Sequence, residues 1–156
     1  MRIKTSMLLP FVFLIFLSSC GSKQLYDYTE TFEKDQWNRF AIIEKEFEIQ
    51  DITSLYDLKF EISTPTTYPY DYLAMNITVY LPDETMRSRE VEIRLQDKSL
   101  HWLGKEKTGV VVSPFTYMKG FKLNTPGKVR LRIENKMSKL YLENIRSIRL
   151  MVEKAE

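Results

Sequence analysis

From Tyr56 onward, apolar and polar residues alternate along this chain one by one. Tyr56, Leu58, Phe60 and Ile62 are spaced by Asp57, Lys59, Glu61 and Ser63, and Leu73, Met75, Ile77, Val79 and Leu81 by Ala74, Asn76, Thr78 and Tyr80. Val91, Ile93 and Leu95 alternate with Glu90, Glu92 and Arg94. Val129, Leu131 and Ile133 do so with Lys128, Arg130, Arg132 and Glu134, and Ile148, Leu150 and Val152 with Arg149, Met151 and Glu153. Successive side chains of a strand point to opposite faces, so each run predicts a half-buried strand with one wet face. Phe40 to Ile49 and the β-branched Val110 to Val112 predict two more.

Turn residues separate the runs at Thr64-Pro65-Thr66-Thr67, Leu81-Pro82-Asp83-Glu84 and Thr125-Pro126-Gly127. No stretch carries a helical stripe beyond a turn around Met137 to Leu142. About eight strands with no helix to cover them must bury their apolar faces against one another. The prediction is an all-β fold, a two-sheet antiparallel sandwich with a jelly-roll topology. A closed lipocalin-like barrel is the alternative.

Ahead of the strands the pattern changes. Met1-Arg2-Ile3-Lys4 is a short basic start, and Met7 to Leu17 is an unbroken apolar run leading into Leu17-Ser18-Ser19-Cys20-Gly21. This is the layout of a secretory signal. About 11 apolar residues at ~1.5 Å each cover roughly half of a ~30 Å hydrocarbon core, too little for a membrane-spanning helix. Leu-Ser-Ser-Cys resembles the lipobox of bacterial lipoproteins, which makes Cys20 the acceptor of lipid. Each buried methylene contributes ~0.8 kcal/mol, so two or three acyl chains hold a protein to a bilayer. Cys20 is the one cysteine of the chain, so the exported domain has no internal disulfide to make.

The expected organisation is a signal peptide over 1–19, a lipidated N-terminus and polar tether over 20–35, and one sandwich domain over 36–156. The expected partner is the lipid bilayer, reached through acylated Cys20, in the cell envelope. The absence of an acidic run after the cysteine favours a periplasm-facing anchor over surface exposure.

Composition narrows the function classes further. Of the 23 basic residues, Arg2 and Lys4 belong to the leader, and the remaining 21 balance 21 acidic ones. A neutral domain has no electrostatic footprint for nucleic acid and no polybasic membrane patch. His101 is the single histidine, so neither a zinc pair nor a cysteine–histidine couple is available within the mature domain. Most carboxylates lie on the polar side of alternating strands, where solvation is the ordinary role. The carboxylate separation needed for sugar hydrolysis is a three-dimensional quantity that spacing along the chain does not set. The reading is a protein that is not an enzyme and takes no cofactor or metal.

Two aromatic segments are candidate interaction residues. Tyr68-Pro69-Tyr70-Asp71-Tyr72 places three phenols in a turn, and His101-Trp102-Leu103-Gly104-Lys105 contains a tryptophan. Tyr68, Tyr70, Tyr72 and Trp102 read either as packing over a sheet edge with polar atoms at the rim, or as a platform for a sugar or a partner protein.

Taken in order, Cys20, Trp37 with Phe40, Asp51 before Tyr56, Tyr68-Pro69-Tyr70, Trp102-Leu103-Gly104-Lys105, Phe121, Pro126-Gly127, Glu134, Met137, and Leu140 through Ile145 to Ile148 resemble the gliding-motility lipoprotein family GldH of Bacteroidetes. The resemblance spans nearly the whole mature domain. His101 and Glu106 depart from it, standing where glycines are usual. It implies a small accessory lipoprotein of a surface motility linked to type IX secretion, acting as a structural or interaction module with other envelope or gliding-machinery proteins as partners. It brings no catalytic residue, and Cys20 alone comes across as a functional position. A carbohydrate-binding jelly roll of the envelope is the second reading.

Overall fold

The computed structural model describes residues 24–155. The signal peptide and Cys20 lie outside the described residues. Strands β1 (Gln24–Thr31), β2 (Gln36–Asn38), β3 (Ile43–Ile49), β4 (Tyr56–Pro65), β5 (Tyr72–Tyr80) and β6 (Met86–Arg94) are followed by β7 (Lys105–Lys107), β8 (Val110–Phe121), β9 (Gly127–Asn135), β10 (Tyr141–Glu143) and β11 (Ser147–Lys154). Glu33–Asp35 forms a single 3-10 turn.

All ladders are antiparallel. One sheet runs β1-β11-β4-β8-β7, the second β3-β9-β5-β6, and β10 pairs with β2 as a small separate ribbon. Setting aside the three-residue strands β2, β7 and β10 leaves eight long strands. Numbered one to eight along the chain, these follow the orders 1-8-3-6 and 2-7-4-5. That is the double Greek key of a jelly roll. Among the described residues the two sheets share no hydrogen-bonded ladder, so they form a sandwich rather than a closed barrel.

The inward set matches the alternation of the sequence. Leu58, Phe60 and Ile62 of β4, Leu73, Met75, Ile77 and Val79 of β5, and Val129, Leu131 and Ile133 of β9 are buried, as are Ile148, Leu150 and Val152 of β11. The sheets are also tied by a polar bond, since the buried Tyr117 hydroxyl donates to the Ile77 carbonyl at 2.8 Å. Its ring meets Phe60 edge-on at 6.5 Å, the arrangement that ring quadrupoles favour. Burial pushes the Tyr117 hydroxyl above its usual range, because the interior penalises the phenolate.

Three segments differ from the sequence expectation. Residues 24–31, assigned to the tether, form β1, which pairs with β11 along its length. Its inner positions are Tyr26, Tyr28 and Glu30, which close the seam between the sheets against Phe47 and Lys45. Tyr26 and Phe47 lie 5.1 Å apart, and Lys45 sits 3.9 Å from the Tyr28 ring and 3.5 Å from Glu30. A seam facing solvent takes phenols and ion pairs rather than aliphatics, which hid the strand. Arg149 fastens β1 from the outer face: it donates to both Asp27 oxygens at 2.8 and 2.6 Å and to Glu61 of β4 at 2.9 Å. The hydrogen bonds to Asp27 and Glu61 hold its guanidinium firmly protonated.

The second difference is β8, which runs twelve residues rather than three. Its alternation is broken by Pro114 and by register shifts opposite Tyr56, Leu58 and Lys59. Pro114 is tolerated because β7 covers only Val110 to Val112, leaving the later part of β8 as a free edge where no donor is required. The third is Met137 to Leu142, which forms a bend and then β10 instead of a helical turn. Asn135 fixes that bend, accepting from the Met137 amide at 2.9 Å and donating to the Trp37 carbonyl at 3.3 Å.

Candidate functional site

The connections sort to two ends of the sandwich. Residues 50–55, 81–85 and 122–126 link strands at one end, where β1 also begins, with Gln24 opposite Glu153. Residues 32–42, 66–71, 95–104 and 136–146 gather at the other end. The sequence-predicted aromatics all belong to this second end.

Tyr68 is 3% exposed and donates its hydroxyl to the Tyr72 carbonyl at 3.0 Å. Burial pushes that hydroxyl well above the ordinary tyrosine range. It therefore serves the core. Tyr70 and Tyr72 are half-buried and pack edge-on in series, with ring centroids 5.7 Å apart for Tyr68–Tyr70 and 6.4 Å for Tyr70–Tyr72. Each keeps part of its ring at the surface.

Trp102 is half-buried against the core and pairs with Gln96 in an isolated antiparallel bridge. The bridge closes a small loop. Asp97 organises it, accepting from the amides of Ser99 at 2.8 Å and His101 at 2.9 Å. These hydrogen bonds hold the Asp97 carboxyl below its usual range. His101 is exposed and sits 3.4 Å from Asp97, so the departure from the family pattern at this position falls on the loop surface. The Leu95 and Gln96 amides both donate to the Asp71 carbonyl, at 2.7 and 3.1 Å, which places this loop beside the tyrosine turn.

Gly104 follows the tryptophan for a steric reason. A Cβ there would lie 2.5 Å from both the Ser113 hydroxyl and the Val112 carbonyl, and 2.8 Å from Val111. Gly104→Ala is therefore expected to cost about 1–3 kcal/mol through overpacking, seen as a lower thermal midpoint. An unchanged melting temperature would show that the loop and β8 can part freely.

Sequence reasoning did not find the small ribbon β2–β10. Trp37 of β2 is fully buried, stacks on Phe32 at 5.1 Å, and donates its indole N–H to the Ala41 carbonyl at 2.8 Å. Around this anchor, Phe40, Leu140 and Tyr141 remain exposed. Tyr141 and Tyr70 line a cleft of about 180 Å³ together with Pro69, Lys139 and Glu143. The ribbon joins elements about a hundred residues apart, so no local signal in the sequence could mark it.

At the opposite end Asp51 is a structural post. It accepts from the Thr53 amide at 2.9 Å, the Ser54 hydroxyl at 2.6 Å and Lys154 of β11 at 2.7 Å. The Lys154 bond, with those from Ser54 and Thr53, holds its carboxyl far below the usual carboxylate range. The Tyr56 hydroxyl donates to the Asp51 carbonyl at 2.7 Å, which ties the β3–β4 loop to two strands. The order of Asp51 and Tyr56 in the sequence is thus the record of a turn.

The structure defines a jelly-roll domain in which one end receives the chain from its N-terminal segment and the other presents aromatic side chains. The family model described as GldH lipoprotein matches residues 24–152, and the chain belongs to this family. A gliding motility lipoprotein GldH homolog of Christiangramia forsetii is 27% identical over 154 residues, covering 94% of each chain. The protein is accordingly a lipoprotein of the cell envelope, from a family associated with gliding motility. Among solved structures, the infectious bursal disease virus VP2 subviral particle aligns at a TM-score of 0.39 and 17% identity, over 84% of this chain and 32% of that chain. The T13 particle of the same virus gives 0.39 and 17%, over 84% and 31%. The chain spans about a third of the length of these viral chains.

Proposed function

We propose that this protein is an accessory component of a gliding-motility machinery linked to type IX secretion, held to a membrane by acylated Cys20. In this reading it faces the periplasm, braces or delivers a partner protein, and turns nothing over. The observation that carries the proposal is the family match, which extends from the first residue of β1 to within the last strand. The family's relation to motility therefore applies to the whole domain rather than to a fragment of it. The fold supports the same role. An eight-stranded sandwich entered at one end suits a rigid spacer, and much of its side-chain chemistry goes to packing and cross-strand ion pairs. His101, the single histidine, is engaged with Asp97 at a surface turn.

Cys20→Ala is expected to abolish incorporation of labelled palmitate and to leave an unprocessed or soluble product. In a gliding host, deletion of the gene should stop colony spreading, and the Cys20→Ala chain should fail to restore it. Palmitate in the Cys20→Ala protein would overturn the anchor. Normal spreading by the deletion strain would overturn the motility role.

A further inference from the structure

We infer that the end of the sandwich farthest from the lipid is a docking surface for an acidic, apolar-bearing segment of a partner protein, seated at the cleft between Tyr70 and Tyr141. The inference rests on the anchored-lipoprotein reading above. It goes beyond that reading by naming the surface and the chemistry of its occupant.

Geometry fixes which end is free. Gln24 opens β1 opposite Glu153, and Cys20 precedes it by four residues in the sequence. Four extended residues reach at most ~14 Å. The eight residues of β1 cover roughly 26 Å at ~3.3 Å each, and they run toward the Tyr70 end. The chain thus enters the sandwich at the end opposite the cleft.

The distribution of exposed apolar side chains follows the same axis. Among the described residues, six of the nine exposed large hydrophobics lie at the far end: Phe40, Ile42, Leu100, Leu103, Leu140 and Tyr141. Phe40 is 77% exposed and Leu100 71%. Three of the six, Phe40, Leu140 and Tyr141, lie on or beside the β2–β10 ribbon that lines the cleft, the setting in which exposed apolar side chains point to an interaction site. The side chains beside the cleft are carried on an ordered scaffold. The Arg39 amide donates to the Leu140 carbonyl at 2.8 Å, Tyr141 pairs with Asn38, and the Asn38 side chain accepts from the Phe40 amide at 2.8 Å. Asn144 donates to the Thr67 carbonyl at 3.3 Å, holding the ribbon against the tyrosine turn. A preorganised surface of this kind loses little entropy on binding.

Charge selects the occupant. Several basic side chains on the sheet faces are engaged by cross-strand partners, as with Arg149 between Asp27 and Glu61, Lys128 with Glu46, and Arg130 with Glu44. At the far end, Lys34, Arg39, Lys98 and Lys139 have no ion-pair partner among the described residues, against two such acids, Glu33 and Glu143. A second copy docked end to end would set these cations against each other. An acidic segment with one or two apolar side chains satisfies both the cations and the cleft of about 180 Å³, and charge complementarity would also steer its approach.

The test places the photo-crosslinking residue p-benzoylphenylalanine at Tyr141 in the full chain in its own cells. Thr29 on a sheet face and Met86 at the anchored end serve as controls. Tyr141 should give a discrete protein adduct whose crosslinked peptide, read by mass spectrometry, carries aspartate or glutamate within a few residues. The controls should not give it. Its yield should fall at least tenfold in the Arg39→Gln/Lys139→Gln background and in Tyr70→Ala, with melting temperature and membrane fractionation unchanged.

Equal adducts at all three positions, no adduct at Tyr141, or an adduct indifferent to the charge substitutions would overturn the inference. So would an adduct of twice the chain's mass, a glycan adduct, or sedimentation of the purified protein with phosphatidylglycerol vesicles through Tyr141. Failure of the anchoring reading is seen separately, as wild-type protein missing from the membrane fraction whatever the adduct pattern.

Discussion

Leu131→Asp is expected to leave the domain unfolded at room temperature. Leu131 is fully buried at the middle of β9, between Lys45 of β3 and Val79 of β5 in the ladder, with its side chain in the core. Removing the aliphatic side chain costs about 2–5 kcal/mol. An unpaired carboxylate in that interior adds several kcal/mol more. The total rivals the ~5–15 kcal/mol by which a domain of ordinary size is stable.

One residue earlier, Arg130 lies on the wet face, 3.8 Å over the Tyr80 ring and 3.7 Å from Glu44. Arg130→Ala loses a stacked cation and a surface ion pair, together about 1 kcal/mol or less. Circular dichroism and thermal denaturation of the pair test the register. A cooperative melt for Leu131→Asp close to the wild type would mean that β9 presents its other face inward.

Trp37→Ala is expected to be the most damaging single truncation among the aromatics. The side chain is fully buried, stacked on Phe32, and its indole N–H is satisfied by Ala41. Its loss empties a large volume beneath the β2–β10 ribbon at a cost of about 3–5 kcal/mol. The Ala41 carbonyl also loses its donor, a cost of order 1 kcal/mol. Trp102 is only half-buried, so Trp102→Ala should cost roughly 1–2 kcal/mol, within the ordinary range of partial truncations. Because these are the chain's two tryptophans, each variant isolates the emission of the other. The protein retaining Trp37 should emit further to the blue than the one retaining Trp102. Equal destabilisation by the two substitutions would contradict the ranking of their burial.

The ribbon that Trp37 supports also carries Tyr141, so the ranking bears on function. A collapsed ribbon would remove the cleft beside Tyr70 without touching the two large sheets. Loss of partner capture in Trp37→Ala, with the sandwich otherwise intact, would then be a structural effect. Tyr70→Ala removes one wall of the cleft and leaves the packing of Tyr68 beneath it.

The sequence by itself determined the central strands and which face of each is buried, because every one of them has one dry and one wet side. That arrangement writes a period of two directly into residue types at Leu58 to Ile62, Leu73 to Val79, Val129 to Ile133 and Ile148 to Val152. The family resemblance was equally legible, because its residues recur in order.

What tertiary structure alone decided lies at seams and ends. β1 passed for tether because Tyr26, Tyr28 and Glu30 close a solvent-facing gap, where half-burial selects amphipathic side chains and leaves no aliphatic rhythm. The full length of β8 is not marked by alternation, because its register shifts where it crosses β4. Tyr68 and Tyr70, two residues apart in one turn, went to the core and to the cleft. The difference is set by what packs over each, the sandwich interior for one and the Tyr141 ribbon for the other. Exposure of Phe40, Leu140 and Tyr141 followed from the pairing of β2 with β10, which are separated by about a hundred residues of chain. Local pattern reports how a segment meets its own two faces, and only the assembled fold reports which distant segments leave an apolar side chain uncovered.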